Sequence, residues 1–229
     1  YMMARLDRLG KGKTIAQMGA TIGREFLYEL LRAVSNLDDT TLNTELKRLV
    51  DIQLLFQQGA HPKTIYTFKH ALIQDIAYQS LQKSDQHLYH QRISATLIER
   101  FPEIAENQPE LLAQHFFEAA MIPDAVDWWL RAGRHALQRS ANAEAISHLQ
   151  TALRLLADLP DSPENRNREL AVQMSLGPAL CATQGYAAPG VERAFGRAND
   201  LCRSMNDVPQ MFPIQWGLWA FYVVRAELN

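Results

Sequence analysis

After Lys83 the chain contains no lysine, and every later cation is arginine. Cysteine is nearly missing too. Cys181 and Cys202 lie far apart and make no C-x-x-C pair, which argues against a disulfide framework or a cysteine-based metal knuckle and fits two reduced thiols in a cytoplasmic protein. Long apolar runs are also lacking. The longest stretch, Met211–Val224, is interrupted by Pro213, Gln215 and Gly217 and is too short to span a bilayer. No signal-peptide pattern opens the chain. A formal net charge of -2 provides no overall field to draw the chain to nucleic acid or an anionic membrane.

What is present suits a folded protein. The 229 residues are 47% hydrophobic and 21% charged, enough for one large domain or two modest ones. Charge is uneven, since residues 1–83 carry a net +3 and the remainder a net -5. Together with the end of lysine usage, this shift predicts a boundary near residue 83. The chain opens on Tyr1 and ends inside a helical pattern, so a piece of a longer protein, truncated at the C-terminus, is expected.

The stretch GKGKT (Gly10–Thr14) resembles half of a phosphate loop. The full G-x-x-x-x-G-K-[ST] pattern must follow a buried strand and open a helix, because its free backbone N–H groups cradle phosphate. Gly12, Lys13 and Thr14 fit, but the first glycine is replaced by Asp7, which would direct negative charge at the phosphates. The preceding Met2, Met3, Leu6 and Leu9 recur at helical spacing. A basic turn between two helices is the reading adopted.

Residues 14–22 predict a short helix stopped by Gly23, and Glu25–Val34 an amphipathic one carrying Phe26, Leu27, Leu30, Leu31 and Val34. SNLDD (Ser35–Asp39) supplies a turn and a helix cap before a third helix, Asp38–Asp51, with Leu42, Leu46, Leu49 and Val50 on one face. Leu54–Phe56 and Ile65–Phe68 flank a loop with Gly59 and Pro62 and read as a hairpin. A closing helix carries Leu72, Ile73, Ile76, Ala77 and Leu81. Together these describe a winged helix-turn-helix. Such a domain binds DNA through the helix before its hairpin, yet that helix offers only Lys47 and Arg48 against four carboxylates, and the loop only Lys63. A structural role is favoured over DNA binding.

Beyond Pro102 helical stretches alternate with short breaks and no strand pattern appears. The spacing fits a 34-residue repeat of helix hairpins. Trp129, Gly133, Ala145, Leu149 and Ala152 fall on its large and small positions, with Ala136 a weak fit where a bulky residue is asked for, and Pro160 closes the unit. Ala113, Phe116, Ala125, Trp129 and Ala132 fit a second register that shares one helix with the first. Gly177 opens a further unit whose partner positions, Ala194, Ala198 and Leu201, arrive five residues late after the loop ATQGYAAPG. Trp216, Gly217 and Phe221 look like the first helix of another unit. The expected fold is mainly α: a winged helix over residues 1–83, then a tetratricopeptide-like α-solenoid of antiparallel helix hairpins over 84–229.

Tyr66–Tyr78 (YTFKHALIQDIAY) resembles the hairpin-to-helix junction in the winged-helix domain of STAND-type signalling ATPases. There a Met-His-Asp motif presents its histidine to the β-phosphate of ADP and locks the off state. Here the motif reads Lys69-His70-Ala71, so the histidine is kept and the aspartate replaced. The wider run, MARLDRLG, IAQMGATIGREFLYELL, TFKHALIQDIAYQSL, RSANAEAISHL and LGPALCATQGYAAPGVERAF, is similar to the region after the ATPase domain in large bacterial regulators. These are often fused to a class III adenylate/guanylate cyclase domain. The resemblance covers nearly the whole chain and its motifs are mainly packing signatures. It implies ATP or ADP as the longer protein's cofactor, an upstream ATPase domain as partner and His70 as a phosphate contact. A histidine that caps its own helix or packs under the hairpin is the alternative.

Other candidates carry less. His87 and His90 stand three apart on a helix without further ligands at matching spacing and read as surface residues. His115, His135 and His148 each stand singly, and no catalytic constellation or metal site is found. Arg131, Arg134 and Arg139 form a row that would face solvent or an acidic partner. The expected function is a non-catalytic regulatory region whose array binds a protein or peptide and whose winged helix couples that event to nucleotide. The alternative is a fragment of a transcription regulator with a DNA-binding winged helix.

Overall fold

The computed structural model describes residues 8–60, 63–205 and 208–226. The helical spacing expected at Met2, Met3 and Leu6, the Asp7 position and Pro62 of the hairpin loop lie outside them. The chain divides into two compact units. The first comprises residues 1–103 and 118–120, the second 104–117 and 121–229.

In the first unit, α1 (Lys11–Ile22) is followed by β1 (Glu25–Leu27), α2 (Tyr28–Ser35) and α3 (Asp39–Asp51). Strands β2 (Leu55–Gln58) and β3 (Ile65–Phe68) lead into α4 (Ala71–Gln79) and α5 (Lys83–Arg100). The three strands form one antiparallel sheet in the order β1–β3–β2. The cap expected in SNLDD is Asp38, whose carboxylate accepts the Thr41 N–H at 2.8 Å and is held below its usual pKa by that bond.

One element departs from expectation. Glu25–Leu27 is a strand, not the first turn of a helix, and pairs Phe26 with Tyr66. The cause is tertiary. Phe26 points inward, stacks on Tyr66 with ring centroids 5.9 Å apart, and lies against Gly19 of α1. A Cβ on Gly19 would come 2.7 Å from that ring, so the glycine makes the space that the strand fills. Ile15, Leu31, Leu42, Leu46, Leu49, Leu54 and Phe68 complete a solvent-free core. Each fully buried aliphatic side chain there adds roughly 1.5–3 kcal/mol of transfer free energy.

Helix α5 also belongs to this unit, because it packs on α1 and α2 and buries Ile93 and Leu97. The compact division therefore falls at residue 103, later than the composition shift at 83. Leu72, expected on the core face of α4, is 59% exposed.

The second unit contains α6 (Pro102–Asn107, whose first two residues belong to the first unit), α7 (Pro109–Glu118, whose last residue belongs to the first unit), α8 (Ile122–Gln138), α9 (Asn142–Ala157), α10 (Pro163–Gln184), α11 (Pro189–Met205) and α12 (Val208–Ala226). From α8 onward each helix packs on the next. No strand is found beyond Phe68 among the described residues.

Small residues set the helix spacing. A Cβ on Gly133 would lie 2.6 Å from Leu149, bringing α8 and α9 together, and Ala145, Leu149 and Ala152 are fully buried at that contact. Phe195 of α11 lies between two glycines, Gly177 of α10 and Gly217 of α12, each of whose added Cβ would be 2.6 Å from the ring. Arg168 of α10 grips Asp127 of α8 at 2.9 and 3.2 Å, tying helices two apart in the array. The turns flanking α8 are the same device. Ala120 and Ser140 both take positive φ, and the next residue donates to the carbonyl five back, Met121 to Phe116 and Ala141 to Ala136, each at 2.9 Å.

Candidate functional site

Helix α4 begins at Ala71, and His70 occupies its N-cap with extended backbone, φ -134° and ψ 139°. Its side chain makes no capping hydrogen bond and is exposed. The histidine therefore neither caps its own helix nor packs under the hairpin. The first turn of α4 carries no acidic residue. An uncapped start of this kind leaves backbone N–H groups and partial positive charge facing outward, and suits an anion. Lys69 stands next to it, bonded to the Gln53 side chain, with its ammonium 5.5 Å from the centre of the Phe56 ring. Phe56 and Leu72 are both exposed large apolar side chains. With alanine at 71, no side-chain carboxylate stands beside the histidine in sequence.

The stretch GKGKT is not a turn. Gly10 holds the bend with φ 57°, a left-handed conformation that favours glycine, and Lys11–Thr14 already form the first turn of α1. The amides that would have to face a phosphate are engaged: Gly12 N–H donates to Leu9 and Lys13 N–H to Gly10, both at 3.1 Å. Gly12 is buried against Glu45, whose carboxylate would lie 2.8 Å from a Cβ added there. With the Gly12 and Lys13 amides bonded and the Glu45 carboxylate against Gly12, this corner is not an open phosphate cradle.

The helix before the hairpin, α3, is likewise engaged in packing. Arg48 reaches the Leu9 carbonyl at 3.4 Å and Glu45 at 3.7 Å, while Asp39 is clasped by Arg32 at 2.6 and 2.9 Å. Of its two cations only Lys47 has no role in these contacts, a poor footing for phosphate-backbone binding.

His90, expected on the surface, is buried. Tyr78 Oη lies 3.0 Å from its Nε2, and Ser94 Oγ donates to its carbonyl at 2.9 Å. Gln86 donates to the Tyr78 carbonyl at 3.2 Å, so the network joins α4 to α5. Burial, with the charge of His87 secondary, lowers the imidazole from its ordinary value near 6.5 to about 4. This histidine is a neutral hydrogen-bonding core residue, and periodicity offered no signal for it because α5 is polar on most of its length. Among the described residues no group of His, Cys, Asp or Glu side chains is arranged to hold a metal. His115 is buried as well, and His148 lies 3.5 Å from Glu144 and beside Trp129.

In the array, exposed aromatic residues gather on α12, where Phe212 is 78% and Trp219 60% accessible, with Trp216 and Tyr222 also open. On α8, the Arg131 guanidinium lies 4.4 Å over the Trp128 ring. Arg139, the third member of the row, is paired with Glu144 at 3.0 Å. No described helix is long and apolar enough to cross a membrane.

No family model matches the chain. It is similar to an uncharacterized protein of Rhizobium meliloti (strain 1021), 28% identical over 219 residues, which covers 94% of this chain and 21% of that protein. The chain thus spans about a fifth of the length of that curated relative. Among solved structures there is a coarse likeness, TM-score 0.35 and 11% identity, to a signal transduction ATPase with numerous domains (STAND) protein with a tetratricopeptide repeat sensor from Pyrococcus horikoshii. It covers 90% of this chain and 34% of that one.

Proposed function

We propose that this chain is a non-catalytic regulatory region of a multidomain signalling ATPase of the STAND type, some of whose similar regulators are cyclase-linked. In this reading the first unit is a winged helix that couples to the nucleotide state of an upstream ATPase domain. The second is a tetratricopeptide-like array that binds a protein or peptide. His70 contacts the phosphate of ADP in the closed state, and loss of that contact on opening gives the two states unequal affinity for nucleotide.

The observation that carries this reading is the state of His70: exposed, uncapped, at the positive end of α4 and next to Lys69. Two further features support it. The GKGKT amides are already bonded, and the array leaves aromatic and basic side chains on its surface.

The test uses the longer protein that includes the ATPase domain. His70→Ala is expected to weaken ADP binding about tenfold or more in a calorimetric titration, the effect of losing one hydrogen bond to a charged group. An unchanged affinity would leave only an interaction scaffold. In parallel, residues 1–229 alone are expected to show no ATP turnover. Turnover abolished by Lys13→Ala would establish the phosphate-loop reading instead.

A further inference from the structure

Helix α8 presents Trp128, Arg131, Arg134 and His135 along one side. With Ala105, Glu106 and Pro109 before it, these residues line a cleft of about 280 Å³ within the second unit. Trp128 is held in place by Phe116, stacked with ring centroids 6.4 Å apart and planes 17° from parallel. Arg131 lies over the Trp128 ring, its guanidinium 4.4 Å from the centroid. Cation–π contact of this kind fixes the guanidinium plane while its N–H edge stays available.

Elsewhere in the array several arginines find carboxylates, while Arg154 has only the Thr151 hydroxyl. Arg139 pairs with Glu144, Arg166 with Asp161, Arg168 with Asp127 and Arg197 with Glu169. Arg131 and Arg134 differ in standing together, without such partners, along one cleft. Both are exposed, and among the described residues neither has an ion pair; Arg134 only donates to Ser175 Oγ at 3.4 Å. Glu106 lines the same cleft without pairing to either. In its wall, His135 Nδ1 is shut off from solvent and has no hydrogen-bond partner among the described residues. Two guanidinium groups without ion-pair partners and an aromatic side chain thus line one small cleft.

We propose that this cleft is where the array takes its partner, and that the partner is a peptide segment bearing carboxylate side chains beside an apolar one. Arg131 and Arg134 receive the carboxylates, and Trp128 packs the apolar side chain. The inference rests on the reading of the second unit as a peptide-binding array and adds the chemistry of its ligand. A pair of arginine forks favours carboxylate over a neutral group, and the net repulsion it exerts excludes basic segments.

The test uses residues 1–229 and three fluorescein-labelled probes: a short Glu/Leu peptide, a Lys/Leu peptide of equal length, and a single-stranded oligonucleotide matched in charge to the first. Anisotropy is expected to rise with the Glu/Leu peptide alone, and the affinity to fall as salt screens the pair. Arg131→Glu/Arg134→Glu should weaken binding at least about tenfold, because attraction is replaced by repulsion. Arg166→Ala, at an arginine already paired elsewhere in the array, should leave it unchanged, and circular dichroism should show all variants equally helical. Glu/Leu binding that the double reversal leaves intact would overturn the cleft while sparing the peptide-binding reading. Binding of neither peptide would remove both. Equal or tighter binding of the oligonucleotide, lost in the same variant, would overturn the peptide as ligand.

Discussion

His90 shows how a single titratable group can be read only with its surroundings. Its neutral form is the one the fold accepts, since burial lowers it to about 4 while the unfolded chain keeps the ordinary value near 6.5. The unfolded state therefore binds the extra proton across that interval and the folded state does not. Stability contributed by the neutral ring is complete above about pH 6.5 and is lost as pH falls toward 4, by up to about 1.4 kcal/mol per pH unit. Below 4 both states are protonated and the loss stops. Urea denaturation followed by circular dichroism should show this slope in the wild type and a flatter profile in His90→Gln, which keeps a hydrogen-bonding side chain without the charge. An equal slope in both proteins would place the acid sensitivity elsewhere. His70 is the opposite case, an imidazole left in solvent at a helix start, and its role depends on what approaches it.

At the scale of elements, Phe195 is the piece that joins three helices. Gly177 and Gly217 admit its ring from two sides. Replacing a helical glycine by alanine ordinarily gains up to about 1 kcal/mol of helix propensity. Here the new methyl would stand 2.6 Å from a ring that is equally close to Gly217 of the next helix, which leaves it little room to give. Overpacking of that kind costs about 1–3 kcal/mol, so Gly177→Ala is expected to lower the melting temperature despite its better propensity. The double variant Gly177→Ala/Phe195→Leu should recover part of the loss, a coupling readable in a thermal double-mutant cycle. The spacing of small and bulky residues predicted this packing at Gly133, Ala145, Leu149 and Ala152, and again at Ala194, Ala198 and Leu201. Strand β1 was not legible, because three residues hold too little pattern to separate a strand from a helix start. Its pairing with β3 and the space above Gly19 decide it.

For the whole molecule, all four tryptophans, Trp128, Trp129, Trp216 and Trp219, lie in the second unit, and His90 lies in the first. Each unit buries a core of its own. Units with separate cores unfold as separate cooperative transitions. Acidification from pH 6.5 to about 5.5, where carboxylates stay ionised, is therefore expected to shift the circular-dichroism transition of the first unit and leave the tryptophan-fluorescence transition in place. Coincident shifts in both signals would mean that the two unfold as one.

The sequence by itself determined the helical class, the hairpin, the cap at Asp38 and the spacing of the array. These follow from local periodicity, capping chemistry and the size of side chains at fixed intervals, all of which a linear chain carries. Only the tertiary structure decided which groups are exposed. It placed His90 inside and His70 outside, closed the GKGKT amides with helix bonds, exposed Leu72, and left Arg131 and Arg134 without counter-charges while pairing Arg139. Burial and ion pairing depend on residues brought together from distant positions, and no window of sequence contains both partners.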